Sequence, residues 1–71
     1  MKRRDLLRLI ATGARGGGIP WRFVRQGTDH EVWRCGAVQI TVPRHREVDE
    51  MTSRQIMRRL ESELGRDWWR R

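Results

Sequence analysis

The apolar residues of this chain change their spacing twice, and that change restricts the fold more than any other feature. From Arg4 to Thr12 they recur at helical intervals, which predicts a helix with one apolar stripe. From Ala37 to Val42 they alternate with polar residues, which is typical of a strand with one packed face. From about Met51 to Leu64 the helical spacing returns. The chain therefore combines two amphipathic helices with β structure.

Two further strands are predicted between the first helix and the alternating segment. Trp21 to Gln26 is rich in aromatic and β-branched residues, and His30 to Cys35 follows after the turn residues Gly27-Thr28-Asp29. Gly36 marks a tight reversal before the third strand. Two helical stripes need a sheet face to cover them, so we expect an α+β fold. The expected architecture is a single α-β-β-β-α two-layer sandwich over residues 1–71, with a three-stranded antiparallel sheet and both helices on one face.

The expected helix ends rest on glycines and on small polar residues. Gly13 and the run Gly16–Gly18 predict that the first helix ends before the glycines. Asp49 and Thr52 are equally good N-caps for the second helix. Gly65 is expected to close that helix and to begin a tail that runs to the last residue, so the tail spans residues 65–71.

The C-terminal tail carries two adjacent tryptophans, Trp68 and Trp69. Two large apolar rings at the end of a small domain either cover an exposed edge of the core or await a partner. We expect one of them to fill a pocket on a protein partner. The strand aromatics Trp21, Phe23 and Trp33 could stack on bases, but in so small a domain strand aromatics are more often core, and we expect them there.

The charge of the chain favours a nucleic acid as its partner. Lys and Arg number 16 against 9 Asp and Glu, which gives a formal net charge of +7. Lys2 is the only lysine. The planar guanidinium of arginine matches phosphate geometry in two-point contacts and also stacks on bases. The alternative is a solvated basic surface without a specific partner.

The single cysteine and the short apolar stretches indicate a cytoplasmic protein. Cys35 has no second cysteine in the chain with which to form a disulfide, which fits a reducing compartment. The apolar stretch near the N-terminus is too short for a membrane span. The spacings of Asp29, His30, Cys35 and His45 match no tight pair of metal ligands, so neither a metal nor another cofactor is expected. Cys35 is expected to be a small strand residue rather than a nucleophile.

Four segments, in order along nearly the whole chain, resemble the HicA toxins of bacterial toxin–antitoxin pairs. Residues 2–7 resemble the opening of HicA chains. Residues 25–33, Arg-Gln-Gly-Thr-Asp-His-Glu-Val-Trp, resemble the family's Arg-x-Gly-Gly-Ser/Asn-His-x-Ile/Val-Tyr/Trp segment. Residues 42–48, Val-Pro-Arg-His-Arg-Glu-Val, resemble its Val-Pro-Arg-His segment with the common Arg-Glu-Ile continuation, and residues 52–60 resemble its closing helix. Thr28 and Asp29 replace the commoner Gly and Ser or Asn of the family.

The resemblance implies a fold, an activity and a partner. HicA proteins have a fold like that of double-stranded-RNA-binding domains, and they cleave messenger RNA without a metal. A HicB antitoxin binds them and covers the active site. The family's catalytic histidine lies in the glycine-containing turn, and His30 matches that position. The residue type fits the chemistry, because histidine can act as acid or base near neutral pH.

Five other residues are candidates for RNA binding. Arg25, Arg44 and Arg46 are suited to phosphate contacts and to stabilising the charge that builds up on a reacting phosphate. Gly27 lies in the turn that precedes the catalytic position. His45, between two arginines, is either a phosphate contact or the second member of an acid–base pair.

Two other functions compete with the ribonuclease. The first is a non-catalytic RNA-binding module of the same fold, in which shape and phosphate contacts do all the work. The second is a basic DNA-binding regulator, which is disfavoured because no helix-turn-helix spacing is evident. Loss of His30 discriminates between cleavage and binding, because binding alone should tolerate it.

Overall fold

The computed structural model describes residues 1–70, and its first helix is longer than predicted. Helix α1 spans Arg3–Gly17, so the expectation that it ends before Gly13 was wrong. Gly13 lies within this helix and against the C-terminal segment, where a Cβ atom would sit 3.0 Å from the ring of Trp68. It ends at Gly18, whose φ of 67° is left-handed and whose N–H bonds to Arg15.

The three predicted strands form one antiparallel sheet in the order β1-β2-β3. Strand β1 spans Trp21–Gln26 and strand β2 spans His30–Cys35, as predicted. Strand β3 spans Val38–Pro43, one residue later than predicted at each end. The reversal between β2 and β3 uses Gly36 with a φ of 58°, a conformation that glycine adopts without steric cost.

The second predicted helix is divided into two. Helix α2 spans Glu50–Arg59, and its N-cap is Asp49. The Asp49 carboxylate accepts a hydrogen bond from the Thr52 N–H at 3.0 Å, which decides between the two predicted caps. Helix α3 spans Glu61–Leu64 and ends at Gly65, as predicted.

The division at Leu60 has a local cause in the C-terminal segment. A 3₁₀ turn spans Trp68–Arg70, and the indole N–H of Trp68 donates to the Met57 carbonyl at 2.8 Å. In an uninterrupted helix that carbonyl would accept the N–H of Glu61. The Leu60 N–H instead bonds to the carbonyls of Ile56 and Met57, which tightens the last turn of α2.

A single core lies between the sheet and the helices. The register pairs Cys35 with Val38, Trp33 with Ile40 and Glu31 with Val42, so these residues share one face of the sheet. The cluster of buried residues on that face draws on both long helices, which places both on the same side and confirms the predicted α-β-β-β-α sandwich. Its members are Leu6, Ile10, Ala14, Cys35, Ile40, Val42, Val48, Ile56, Leu60 and Trp68. Within residues 1–70, no helix combines the length and the apolar composition that a membrane crossing requires.

Candidate active site and nucleic-acid interface

The backbone around His30 is fixed on both sides while its side chain is exposed. His30 is the first residue of β2 and pairs with Pro43 of β3. On the β1 side, its carbonyl accepts the Gly27 N–H at 2.7 Å. On the β3 side, the Arg44 N–H donates to the Asp29 carbonyl at 2.9 Å. The turn therefore presents an imidazole to solvent from a rigid position, which is what acid–base chemistry on a large substrate requires.

Arg44 lies beside this turn. Arg44 directly follows Pro43, which pairs with His30, and its guanidinium donates to the Thr28 carbonyl at 3.5 Å. The remainder of the Arg44 side chain is exposed, so its other N–H groups face solvent. A guanidinium in this place suits charge stabilisation on a phosphate next to the imidazole.

The face of the sheet that carries His30 is open and basic. His30, Val32 and Arg34 alternate along β2 on the side opposite the helices. A register shift at Val24 places Arg25 opposite Val32, and therefore on that same open face. Arg22 lies on it as well, opposite Arg34. Like charges in register are unfavourable by themselves, so this face suits an anionic ligand.

The three remaining residues predicted to bind RNA also lie near the His30 end of the sheet. Arg46 lines a cleft together with Arg44 at the end of β3. His45 lies exposed in the bend between these two arginines and two residues beyond Pro43. Gly27 gives its N–H to His30, so that donor serves the turn. Their contacts with RNA stay predictions.

Sequence reasoning missed the contact that ties α1 to the His30 end of the sheet. The Arg3 guanidinium donates to the Pro43 carbonyl at 3.0 Å and forms an ion pair with Glu31, the residue after His30. The same Glu31 oxygen accepts the indole N–H of Trp33 at 3.1 Å. No spacing signal reveals this network, because its partners come from segments that are distant in the chain.

Cys35 belongs to the core, as predicted. Its side chain is fully buried. Burial, and to a lesser extent the nearby Glu63 carboxylate, raises the pKa of the Cys35 thiol. Because the thiolate is the nucleophilic form, these surroundings disfavour a catalytic role for Cys35.

The strand aromatics form a small group that is only partly covered. The rings of Trp21 and Trp33 stack with centroids 4.6 Å apart, and Phe23 meets Trp33 edge-on at 5.5 Å. Trp21 and Trp33 are half-buried against the core. Phe23 is 47% exposed, so its assignment to the core was wrong.

The tryptophans of the tail pack on the domain itself. Trp68 is 6% exposed and belongs to the core cluster, so of the two tryptophans Trp68 is not available to fill a pocket on a partner. Trp69 is half-buried and meets Trp68 edge-on, with ring centroids 5.9 Å apart. The tail therefore covers an edge of the core, which is the alternative reading of its two apolar rings.

Within residues 1–70, no three His, Cys, Asp or Glu side chains lie close enough to hold a metal ion together. Comparison of the chain with protein-family models, with curated proteins and with solved structures found no match.

Proposed function

We propose that the protein is a ribonuclease that uses His30 as its acid–base residue. The observation that carries the proposal is the exposed imidazole of His30 on a backbone held from both sides, next to Arg44 and on an open basic face. Within this class, the resemblance of residues 25–33 and 42–48 favours a HicA-type toxin that cleaves messenger RNA in the cytoplasm.

The proposed reaction needs only groups that RNA and this chain supply. The His30 imidazole takes the proton of a ribose 2′-hydroxyl, and the 2′-oxygen attacks the adjacent phosphorus. The bond from phosphorus to the 5′-oxygen breaks, and that oxygen gains a proton from an imidazolium or from water. The products are a 2′,3′-cyclic phosphate and a 5′-hydroxyl. Arg44 stabilises the additional negative charge on the phosphate while both bonds are partial.

RNA binding in this scheme uses the open basic face. Arg25 lies on the His30 side of the sheet and is exposed, so it can reach a phosphate of the same strand. His45 and Arg46 follow Pro43, the last residue of β3, at the end of the sheet that carries His30. The single strand therefore passes the imidazole with cations on both sides, and the binding free energy is largely electrostatic.

The second candidate is a non-catalytic RNA-binding module. The same basic face favours it, because Arg22, Arg25 and Arg34 would contact phosphates whether or not His30 acts as a base. This candidate predicts that RNA stays intact at every protein concentration.

The proposed protein partner is an antitoxin of HicB type with an acidic surface. A free ribonuclease would damage its host, and a net charge of +7 attracts an acidic protein. We place its contact on the open face that carries His30, since the two tail tryptophans are occupied by their own domain. Association should slow as salt is added, because electrostatic steering is screened.

Incubation of the purified protein with single-stranded RNA in excess chelator tests the ribonuclease directly. We expect cleavage, and fragments that end in a 2′,3′-cyclic phosphate. The chemical state of the ends is measured by mass spectrometry. Strict dependence on an added divalent cation, or fragments with a 5′-phosphate, would contradict the proposed reaction.

A further inference from the structure

A cationic cleft lies where the start of α1 meets the connection between β3 and α2. Its volume is about 260 Å³. All of the side chains that line it are basic, although they come from segments about forty residues apart in the chain. They are Lys2, Arg3, Arg4, Arg44 and Arg46.

The backbone holds the two walls of this cleft together. The Arg3 N–H donates to the Arg46 carbonyl at 2.9 Å. Lys2 and Glu47 form an isolated antiparallel bridge one residue further out. The Arg3 side chain adds a hydrogen bond to the Pro43 carbonyl. The backbone positions that carry the cationic side chains are therefore brought together by the fold.

The charges in the cleft are only partly compensated. Arg3 is paired with Glu31, and the Arg4 guanidinium lies 3.9 Å from Asp5. Within residues 1–70, neither Lys2 nor Arg44 nor Arg46 has a carboxylate within 4.0 Å. Like charges held this closely repel one another, and an oxyanion between them relieves the repulsion.

The cleft is continuous with the His30 turn. Pro43 pairs with His30 and also accepts the hydrogen bond from Arg3, so one residue separates the candidate catalytic position from a wall of the cleft. Arg44, which lines the cleft, also contacts the turn through Thr28. A phosphate held in the cleft and a phosphate at the His30 turn would therefore share Arg44 as a neighbour.

We propose that this cleft binds a non-scissile backbone phosphate of the RNA strand, with Lys2, Arg4 and Arg46 as its ligands. Arg3 is a positioning residue, because its guanidinium is engaged by Glu31 and Pro43. The proposal rests on the proposed ribonuclease function for the identity of the anion. The ligand chemistry, a phosphate oxyanion, is shared with free nucleotides.

The test measures binding of a single-stranded RNA with methylated 2′-hydroxyls, which cannot be cleaved by 2′-attack. The logarithm of the affinity is followed against the logarithm of the salt concentration for the wild type and for the double variant Arg4→Ala/Arg46→Ala. We expect the slope to flatten by about 0.7 for the phosphate that the variant no longer contacts. Arg58→Ala is the matched control, since Arg58 is an exposed arginine of α2 outside the cleft, and it should keep a slope closer to that of the wild type.

Three results decide the proposal. An unchanged slope in the double variant, with a melting temperature equal to that of the wild type, would overturn it. If the double variant fails to fold, the single variant Lys2→Ala carries the same expectation, because Lys2 is exposed. Cleft-dependent binding of a nucleoside triphosphate, together with an RNA slope that is the same in the variant and the wild type, would assign the cleft to free nucleotides instead. A cleft-dependent slope without cleavage of unmodified RNA would support the cleft and contradict the ribonuclease.

Discussion

The two ends of the sandwich differ in how far their polar and aromatic side chains are exposed to solvent. At one end, His30 and Arg44 are exposed beside the cationic cleft. At the other end, Trp68 is buried against Gly13 of α1. A cleft of about 420 Å³ also lies at the tryptophan end, but apolar side chains and glycines dominate its lining. Apolar packing therefore stabilises one end, whereas the other end exposes charged and titratable side chains to solvent.

The largest expected effect is loss of the fold when the side chain of Trp68 is removed. Trp68→Ala removes a buried indole and its hydrogen bond to the Met57 carbonyl. Truncation of a buried aromatic costs about 3–5 kcal/mol. That cost is comparable with the whole stability of a small domain, so the variant should be largely unfolded. Chemical denaturation followed by circular dichroism measures it.

Trp69→Ala is the matched control for this prediction. Trp69 is half-buried and has the same side chain one position later, so its loss should cost less than that of Trp68. Equal, small effects of both substitutions would contradict the burial of Trp68. They would favour the hypothesis that the tail binds a protein partner.

Much of the fold was predictable because short-range signals agree with long-range packing. The ends of β1 and β2 follow from the turn at residues 27–29. The length of α1 was not predictable from its glycines, because Gly13 packs against the ring of Trp68, 55 positions further along the chain. The break at Leu60 depends on the same ring.

The candidate site was predictable only where the motif is contiguous. His30 and Arg44 lie where the motifs placed them, at the end of the sheet. Strict alternation along β1 would separate Arg25 from the face that carries Arg22, but the bulge at Val24 brings the two together. The cationic cleft joins the start of α1 to the segment after β3, and no local pattern reveals that contact.

Two glycines of α1 test the packing of the tryptophan end, with a smaller expected change in stability. Gly16 has open space where a Cβ would lie, whereas a Cβ on Gly13 would lie 3.0 Å from the ring of Trp68. Gly16→Ala should raise the free energy of unfolding by about 0.5–1 kcal/mol, because alanine loses less backbone freedom in a helix. Gly13→Ala should raise the free energy of unfolding by less than Gly16→Ala does, or should lower it. Equal gains in thermal unfolding experiments would contradict the close approach of Trp68.

The smallest expected effect is a pH dependence at the start of α2. Hydrogen bonds from the side chain and the backbone N–H of Thr52 hold the pKa of the Asp49 carboxyl below its ordinary value of 3.8. Because the folded pKa is lower than the unfolded one, the ionised cap stabilises the fold above the unfolded pKa. That contribution is lost as the pH falls through the folded pKa. Asp49→Asn should therefore show a weaker acid dependence of its melting temperature than the wild type, and identical profiles would argue against the cap.

The most direct measurement is the single-turnover rate of RNA cleavage by His30→Ala, with binding of the 2′-methylated RNA followed in parallel. Loss of the acid–base group should slow cleavage by about 10²–10⁴-fold. Affinity should stay close to that of the wild type, and so should the melting temperature, because the His30 side chain is exposed. His45→Ala tests the other exposed histidine of this end in the same assay and should retain more activity than His30→Ala. Cleavage by purified His30→Ala at the wild-type rate would contradict the assignment of the acid–base role to His30.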